Sequence, residues 1–313
     1  MSGLSSRHLL GLEGVPKEDI ELILNTSETF SEVIERSIKK VPTLRGLTVL
    51  NLFYEPSTRT RISFELAAKR LSADIVNFSP SGSSVKKGES LRDTVHTLEA
   101  NKIDMVVVRH SSSGVPFYLT QCMDANIINA GDGTHEHPTQ GLLDMYTMKR
   151  KLGKLSGLRV VLVGDIKHSR VVRSNIWGLK TMGASVALCG PSTLLPYDVN
   201  RFGCDVYTNL DEALEGADVV NVMRIQLERQ QSGLFPSQRE YTALWGVTKE
   251  RLKRMNKNHV VMHPGPMNRG VEITSDVADC ERSVIREQVT NGQAVRMAVL
   301  YLMSGRRADE GEA

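Results

Sequence analysis

The segment LTVLNLFYEPSTRTR, residues 47–61, passes from a strand pattern into a helix pattern. Its first part is almost continuously apolar, which is typical of a parallel strand that is buried on both faces. Further segments of this kind are residues 104–109, 158–165, 184–190, 218–224 and 259–265. Amphipathic stretches separate them. This alternation predicts an α/β fold with doubly wound parallel sheets, which bind ligands beyond the carboxyl ends of their strands.

The length of 313 residues suggests two domains of this type. We predict the boundary inside PTQGLLDMYTMKRKLG, residues 138–153, which has an apolar face, a basic end and a terminal glycine, as a bridging helix would. Residues 1–145 would then form the first domain, completed by a C-terminal helix at about 290–305. Residues 146–290 would form the second domain.

Composition and charge exclude several classes of protein. The 39 Lys+Arg and 36 Asp+Glu residues give a formal net charge of +3, which argues against a nucleic-acid coat. The 4 cysteines form no CxxC pair, so we expect neither a disulfide framework nor a thiolate zinc site, and a reduced, cytoplasmic protein is favoured. Residues 1–15 lack a signal-peptide pattern, and no apolar run approaches the ~20 residues of a membrane span.

The residues after the first strand are suited to bind a phosphate group. Ser57, Thr58 and Thr60 supply hydroxyls, Arg59 supplies a guanidinium, and the start of the helix supplies backbone N–H groups. The alternative is an ordinary serine N-cap followed by surface arginines. The position at the carboxyl end of a buried strand favours the anion site.

Other polar residues stand at similar positions. Arg109 closes a buried strand, where an arginine is costly unless it meets an anion, and a surface salt bridge is the alternative. In HEHPTQ, residues 135–140, no third metal ligand follows the two histidines at a useful spacing, so we expect a helix that starts at Pro138. Residues 160–170 lack the GxGxxG pattern of a dinucleotide site, and we expect no nucleotide cofactor.

The sequence FYEPSTRT, residues 53–60, resembles the carbamoyl-phosphate signature of the aspartate and ornithine carbamoyltransferases, F-x-[E/K]-x-S-[G/T]-R-T. Glu55, in its third place, is similar to the aspartate branch. Further motifs similar to those of the family follow in order along nearly the whole chain: SVKKGES (84–90), VVRH (107–110), HPTQ (137–140), VGDIKHSR (163–170), MRIQ (223–226) and HPGP (263–266). HPGP differs from the HPLP of many aspartate enzymes and lacks the cysteine of the ornithine HCLP motif.

The resemblance implies an active site in the cleft between the two domains, with roles carried over residue by residue. Carbamoyl phosphate would be bound by Ser57, Thr58, Arg59, Thr60, Arg109, His137, Gln140, Pro264, Gly265 and Pro266. The catalytic residues among these would be Arg59, Thr60, Arg109, His137 and Gln140. Aspartate would be bound by Lys87, Arg170, Arg224 and Gln226. Ser83 and Lys87 would come from a neighbouring subunit, which implies a homotrimer with shared active sites. The resemblance assigns no role to His135.

The activity that the resemblance implies is carbamoyl transfer from carbamoyl phosphate to L-aspartate, an early step of de novo pyrimidine (UMP) biosynthesis. It implies no metal or other cofactor, no covalent nucleophile, and no nucleic-acid or membrane partner. It leaves open whether regulatory or dihydroorotase chains associate. The alternatives are a carbamoyltransferase for another acceptor such as ornithine, a non-catalytic binding module on the same scaffold, and a nicotinamide-dependent oxidoreductase.

Overall fold

The structure is a computed structural model that describes residues 3–78, 91–225 and 237–310, except for the side chains of 306–310. The predicted site residues Ser83, Lys87 and Gln226 lie outside the described residues. The chain divides into two compact units, Met1–Leu142 with Thr290–Ala313, and Leu143–Val289. Each unit contains a parallel β-sheet with helices, which confirms the predicted α/β class.

The first unit contains a four-stranded parallel sheet in the order β2-β1-β3-β4. Its strands are β1 (Thr48–Phe53), β2 (Asp74–Phe78), β3 (Met105–His110) and β4 (Asn126–Asp132). The helices are α1 (Lys17–Glu35), α2 (Thr58–Arg70), α3 (Leu91–Glu99), α4 (Val115–Thr120) and α5 (Pro138–Leu152), whose last residues belong to the second unit. Leu50, Val106 and Ile127 of the strands share one buried cluster with Val95 of α3 and Leu119 of α4.

The second unit contains a five-stranded parallel sheet in the order β7-β6-β5-β8-β9. Its strands are β5 (Arg159–Val163), β6 (Ser185–Cys189), β7 (Asp205–Tyr207), β8 (Val219–Val222) and β9 (Val260–Met262). The helices are α6 (Arg170–Thr181), α7 (Leu210–Leu214), α8 (Gln238–Trp245), α9 (Lys249–Leu252), α10 (Ser275–Ala278) and α11 (Ile285–Glu310), which ends in the first unit. Short 3-10 helices cover Ser192–Leu194 and Val199–Phe202. Within the described residues, no helix is both long and apolar enough to cross a membrane.

Three strands carry no continuous apolar run, and the sequence analysis did not predict them. In β4, NIINAGD, the polar residues Asn126, Asn129 and Asp132 are buried. They are tolerated there because their side chains are hydrogen-bonded, as where the Asn129 amide donates to the Leu10 carbonyl oxygen at 2.8 Å. The edge strands β2 and β7 are short and partly exposed, so they lack the apolar pattern of a central strand.

Both sheets reverse their winding direction beside predicted site residues. In the first sheet, the chain winds from β1 to β2 on one side and from β3 to β4 on the other. Phe53 of β1 lies opposite Arg109 of β3. In the second sheet the reversal lies between β5 and β8, where Val163 is opposite Val222. Because open α/β sheets bind ligands at such reversals, each unit has one preferred binding edge.

The close approach of the loops after β5 and β8 predicts different effects of two glycine substitutions. Gly164 has φ +125°, and a Cβ added there lies 2.8 Å from the Met223 carbonyl oxygen. Gly216 has φ +65°, but a Cβ added there meets nothing within 4 Å. We expect Gly216→Ala to lower the free energy of unfolding by about 1 kcal/mol and Gly164→Ala by about 3 kcal/mol, because only the latter adds a backbone clash to the strain. Urea denaturation measures both, and equal losses would contradict this account.

Candidate active site

The first turn of α2 concentrates positive charge at the carboxyl end of β1. Ser57 is the N-cap residue, but its side chain does not cap the helix. The turn holds Thr58, Arg59 and Thr60 and no acidic residue, so the arginine reinforces the positive end of the helix dipole. Partial burial lowers the pKa of Arg59 from its ordinary value, and the guanidinium keeps its charge near neutral pH. A tetrahedral dianion would replace the water that this cation has lost.

Arg109 is held at the end of β3 by contacts on several sides. Its Nε donates to Oε2 of Glu55 at 3.1 Å, and its Nη1 lies 3.5 Å from Oγ1 of Thr60 and 3.3 Å from the carbonyl oxygen of Ala130. The side chains of Arg109 and Glu55 are only 17% and 14% exposed. The salt bridge expected as the alternative therefore exists, but it is largely buried and it fixes the guanidinium beside Thr60.

His137 directly precedes α5, which starts at Pro138 as predicted, and Gln140 lies in the first turn of that helix. His137 is 4% exposed and Gln140 is 9% exposed. The backbone N–H of Gln140 donates to the carbonyl oxygen of His137 at 2.9 Å. The two residues are therefore fixed by the same helical turn, as the HPTQ spacing requires.

Two buried carboxylates that the sequence analysis missed hold the loop before His137. The carboxylate of Asp132 accepts the backbone N–H groups of Glu136 at 3.2 Å and Gly114 at 2.8 Å. Glu136, 1% exposed, accepts the backbone N–H groups of Leu12 at 2.7 Å and Glu13 at 3.1 Å. The sequence shows acidic residues next to the predicted site residues, but it does not show that these acidic residues are buried.

His135, to which the sequence analysis assigns no role, also helps to hold this loop in place. Its Nδ1 lies 3.1 Å from Oδ1 of Asp132. Burial alone would raise the pKa of Asp132, but hydrogen bonds from His135, the Gly114 N–H and the Asn129 amide outweigh it. The pKa of Asp132 is consequently below its ordinary value of 3.8.

In the second unit, Arg170 and Arg224 follow the two strands at the winding reversal. Arg170 is the first residue of α6 and is 7% exposed. Arg224 is half-buried and lies two residues beyond β8. The Met223 N–H donates to the carbonyl oxygen of Val163 at 2.7 Å, which joins the starts of the two loops. Two guanidinium groups at one sheet edge are suited to bind a dicarboxylate.

The loop between β5 and α6 is also held in place by hydrogen bonds within the loop. The buried Asp165 accepts the backbone N–H of His168 at 3.1 Å and lies 2.9 Å from its Nδ1. Ser169 caps α6 by accepting the N–H of Val172. Lys167, the other cation close to the start of α6, is exposed, so of these two residues only Arg170 is buried in the fold.

The predicted residues Pro264, Gly265 and Pro266 form a loop directly after β9, the neighbour of β8. Gly265 has φ +62°, a left-handed conformation in which a side chain would be strained. Its N–H donates to Nδ1 of the buried His263 at 2.7 Å. Among the residues that the structure describes, no three His, Cys, Asp or Glu side chains are grouped so that they could hold a metal ion.

Comparisons with known proteins cover both units. Residues 7–150 match the family "Aspartate/ornithine carbamoyltransferase, carbamoyl-P binding domain", and residues 156–303 match "Aspartate/ornithine carbamoyltransferase, Asp/Orn binding domain". The chain is 58% identical to the aspartate carbamoyltransferase catalytic subunit of Halothermothrix orenii, over 98% of each chain.

Solved structures share the fold. Aspartate transcarbamoylase of Trypanosoma cruzi, crystallised with carbamoyl phosphate and aspartate, matches with a TM-score of 0.85 at 30% identity, over 94% of this chain and 95% of that one. Ornithine carbamoyltransferase of Pyrococcus furiosus matches equally well in shape, with a TM-score of 0.85 at 27% identity over 97% and 99% of the two chains. The overall fold therefore does not discriminate between the two acceptors.

The contact between His135 and Asp132 predicts how acid unfolds the protein. Because the fold depresses the pKa of Asp132, the ionised carboxylate stabilises the protein above pH 3.8, and this stabilisation is lost as the pH falls through the depressed value. His135→Ala should let the pKa rise again, so the acid-unfolding midpoint should move to higher pH. Circular dichroism against pH measures it. The matched control is His96→Ala on the exposed face of α3, and equal midpoints in the two variants would contradict the assignment.

Proposed function

The chain belongs to the aspartate/ornithine carbamoyltransferase family, and on that premise we propose that it transfers the carbamoyl group of carbamoyl phosphate to the α-amine of L-aspartate. The products are N-carbamoyl-L-aspartate and inorganic phosphate, as in an early step of pyrimidine (UMP) biosynthesis. The observation that supports this most directly is the contact of Arg109 with Thr60 beside the cationic first turn of α2.

In the proposed reaction the amine nitrogen attacks the carbonyl carbon, a tetrahedral oxyanion forms, and the C–O bond to phosphate breaks. Thr60, Arg109 and His137 stabilise the negative charge that develops on the carbonyl oxygen. Gln140 and the backbone carbonyls of Pro264 and Gly265 bind the carbamoyl nitrogen. The departing phosphate takes the proton that the amine loses, so the protein needs no separate base. Catalysis then consists of proximity and charge stabilisation.

The phosphate group occupies the first turn of α2 in this proposal. Ser57, Thr58 and Thr60 donate hydroxyls and backbone N–H groups to its oxygens, and Arg59 neutralises the charge that grows as the phosphate leaves. The Glu55 partner of Arg109 holds that arginine in place before the substrate arrives, which reduces the reorganisation needed at the transition state.

The acceptor is proposed to be a dicarboxylate because of the charge at the second sheet edge. Arg170 is buried and Arg224 is half-buried, and both would attract the carboxylates of aspartate. Ornithine would bring a side-chain ammonium to the same cations and be repelled. Lys87 and Gln226 complete the aspartate site in this proposal.

We further propose a cytoplasmic homotrimer in which Ser83 and Lys87 enter the site of a neighbouring subunit. Cys122, Cys189, Cys204 and Cys280 are free thiols, as suits a reducing compartment. Association with regulatory or dihydroorotase chains is a separate question that gel filtration of the purified chain with such partners would answer.

Loss of Arg59 should abolish most of the activity without unfolding the protein. We expect Arg59→Ala to lower kcat for carbamoyl-aspartate formation by at least ~100-fold, on the order of the loss seen when one preorganised charge-stabilising donor is removed. The thermal midpoint should change little because Arg59, although partly desolvated, is an exposed residue and not part of the buried core. A colorimetric carbamoyl-aspartate assay measures the rate.

The matched control for Arg59→Ala is Arg61→Ala, which removes the same charge from an exposed position two residues along α2. It should retain nearly normal turnover. Near-normal turnover of Arg59→Ala would overturn the proposed phosphate site. An acceptor screen with the wild type should give product with aspartate and none with ornithine, and the reverse result would reassign the acceptor.

Shared active sites predict complementation between two inactive variants. Arg59→Ala impairs the site of its own chain, whereas Lys87→Ala impairs the site of the neighbouring chain. When the two variants are unfolded or dissociated together and reassembled, some sites receive neither substitution and activity should reappear. Each variant reassembled alone is the control. Activity in the mixture equal to the average of the two controls would contradict the shared site.

A further inference from the structure

A chain of buried hydrogen bonds begins at the loop after β9. His263, whose side chain is 0% exposed, accepts the Gly265 N–H on Nδ1 at 2.7 Å. Because a backbone N–H can only donate, Nδ1 is the acceptor, and the ring proton lies on Nε2. Nε2 faces Oε1 of Glu272 at 3.3 Å, and the Glu272 side chain is also 0% exposed. The imidazole thus connects the Gly265 backbone to a buried carboxylate.

The series of hydrogen bonds continues from Oε1 of Glu272 toward β8. Oε1 of Glu272 also accepts the backbone N–H of Asn268 at 2.5 Å. The Asn268 side chain donates from Nδ2 to the carbonyl oxygen of Ile225 at 3.0 Å. Ile225 directly follows Arg224. The hydrogen bonds therefore run without interruption from Gly265, through His263, Glu272 and Asn268, to the residue after Arg224; we call these bonds the relay.

His263 is also anchored on its backbone side, so the relay starts from a fixed point. Its N–H donates to Oε1 of Gln288 at 3.0 Å, and Nε2 of Gln288 donates to Oδ1 of Asp144 at 2.8 Å. The other Asp144 oxygen accepts from the amides of Asn175 at 2.9 Å and Asn221 at 3.1 Å. All of these side chains are buried, so each bond is protected from exchange with water.

We propose that His263, Glu272 and Asn268 are positioning residues for carbamoyl transfer. They hold the 264–266 loop in register with the strand end that carries Arg224. This inference rests on the proposed function, in which the loop carbonyls bind the carbamoyl nitrogen and Arg224 binds the acceptor. Neither His263 nor Glu272 touches a substrate in this proposal. Their contribution is to keep two substrate-binding elements at a constant separation, to which reaction rates are sensitive.

Two substitutions of His263 test its bond to Gly265 and its bond to Glu272 separately. Asparagine offers an oxygen near the position of Nδ1 and retains the Gly265 bond, whereas glutamine offers an amide near the position of Nε2 and retains the Glu272 bond. Amide hydrogen exchange at Gly265 reports the first bond without any need for activity. We expect the Gly265 amide to be protected in the wild type and in His263→Asn, and to exchange at least tenfold faster in His263→Gln.

Asn268→Ser tests the other end at a half-buried position, where unfolding is a smaller risk than at His263. Its control is Asn256→Ser, which also removes a side-chain amide bond to a backbone carbonyl, that of Gly216 at 3.0 Å, together with a bond to Oδ1 of Asp218 at 2.7 Å. We expect Asn268→Ser to raise the KM for aspartate about tenfold through the displaced Arg224, with a thermal midpoint close to that of the control. A merely structural role would lower the thermal midpoint and leave KM unchanged.

The outcomes separate the relay from the proposed function. If the wild type forms no carbamoyl aspartate, the proposed function fails, while Gly265 exchange still tests the hydrogen bonds of the relay. If the wild type is active but Asn268→Ser has the same KM for aspartate as Asn256→Ser, the positioning role is overturned. Equal Gly265 exchange in the wild type and His263→Gln also overturns it, because the imidazole would then not hold the loop.

Discussion

Parallel strands cannot be joined by tight turns, so every connection in both sheets crosses over a face of the sheet and returns to the same end. The carboxyl ends of all strands in a sheet therefore lie at one edge, and the loops that follow two neighbouring strands run in opposite directions where the winding reverses. In the first sheet that reversal lies between β1 and β3, next to Thr60 and Arg109. In the second it lies between β5 and β8, next to Arg170 and Arg224. The rest of the site depends on this constraint, because it determines which loops become neighbours.

Buried carboxylates then hold these neighbouring loops in fixed conformations. Asp132, Glu136, Asp165 and Glu272 are each buried, and each accepts at least one backbone N–H group from a site loop or from a segment packed against one. A buried carboxylate is costly unless its oxygens are satisfied, so it disfavours any loop conformation that withdraws the N–H donors. The loops that carry the cations proposed to bind the substrates are thereby held in place by carboxylates that accept backbone N–H groups.

Much of the fold and part of the site could be predicted because their causes are local. Continuous apolar runs predicted the central strands, and the segment 53–61 predicted an anion-binding turn, since hydroxyls, an arginine and a helix start are adjacent in the chain. The strand β4 could not be predicted in this way. Its buried asparagines bond groups that are far away in sequence: the Asn129 amide donates to the Leu10 carbonyl oxygen, 119 residues away, and the Asn126 amide donates to the Met303 carbonyl oxygen, 177 residues away.

The relay in the candidate site could not be predicted from the sequence for the same reason. HPGP is visible in the chain as a rigid turn, but no local pattern connects His263 with Glu272 or Asn268 with Ile225, which is 43 residues away. Local sequence establishes the parallel α/β class, the order of the motifs and the chemical character of the residues proposed to bind the substrates, because periodicity and residue type are properties of short segments. Tertiary folding alone decides that Glu55 pairs with Arg109 and which carboxylates are buried against the site loops, because burial and hydrogen-bond partners depend on residues far apart in the chain.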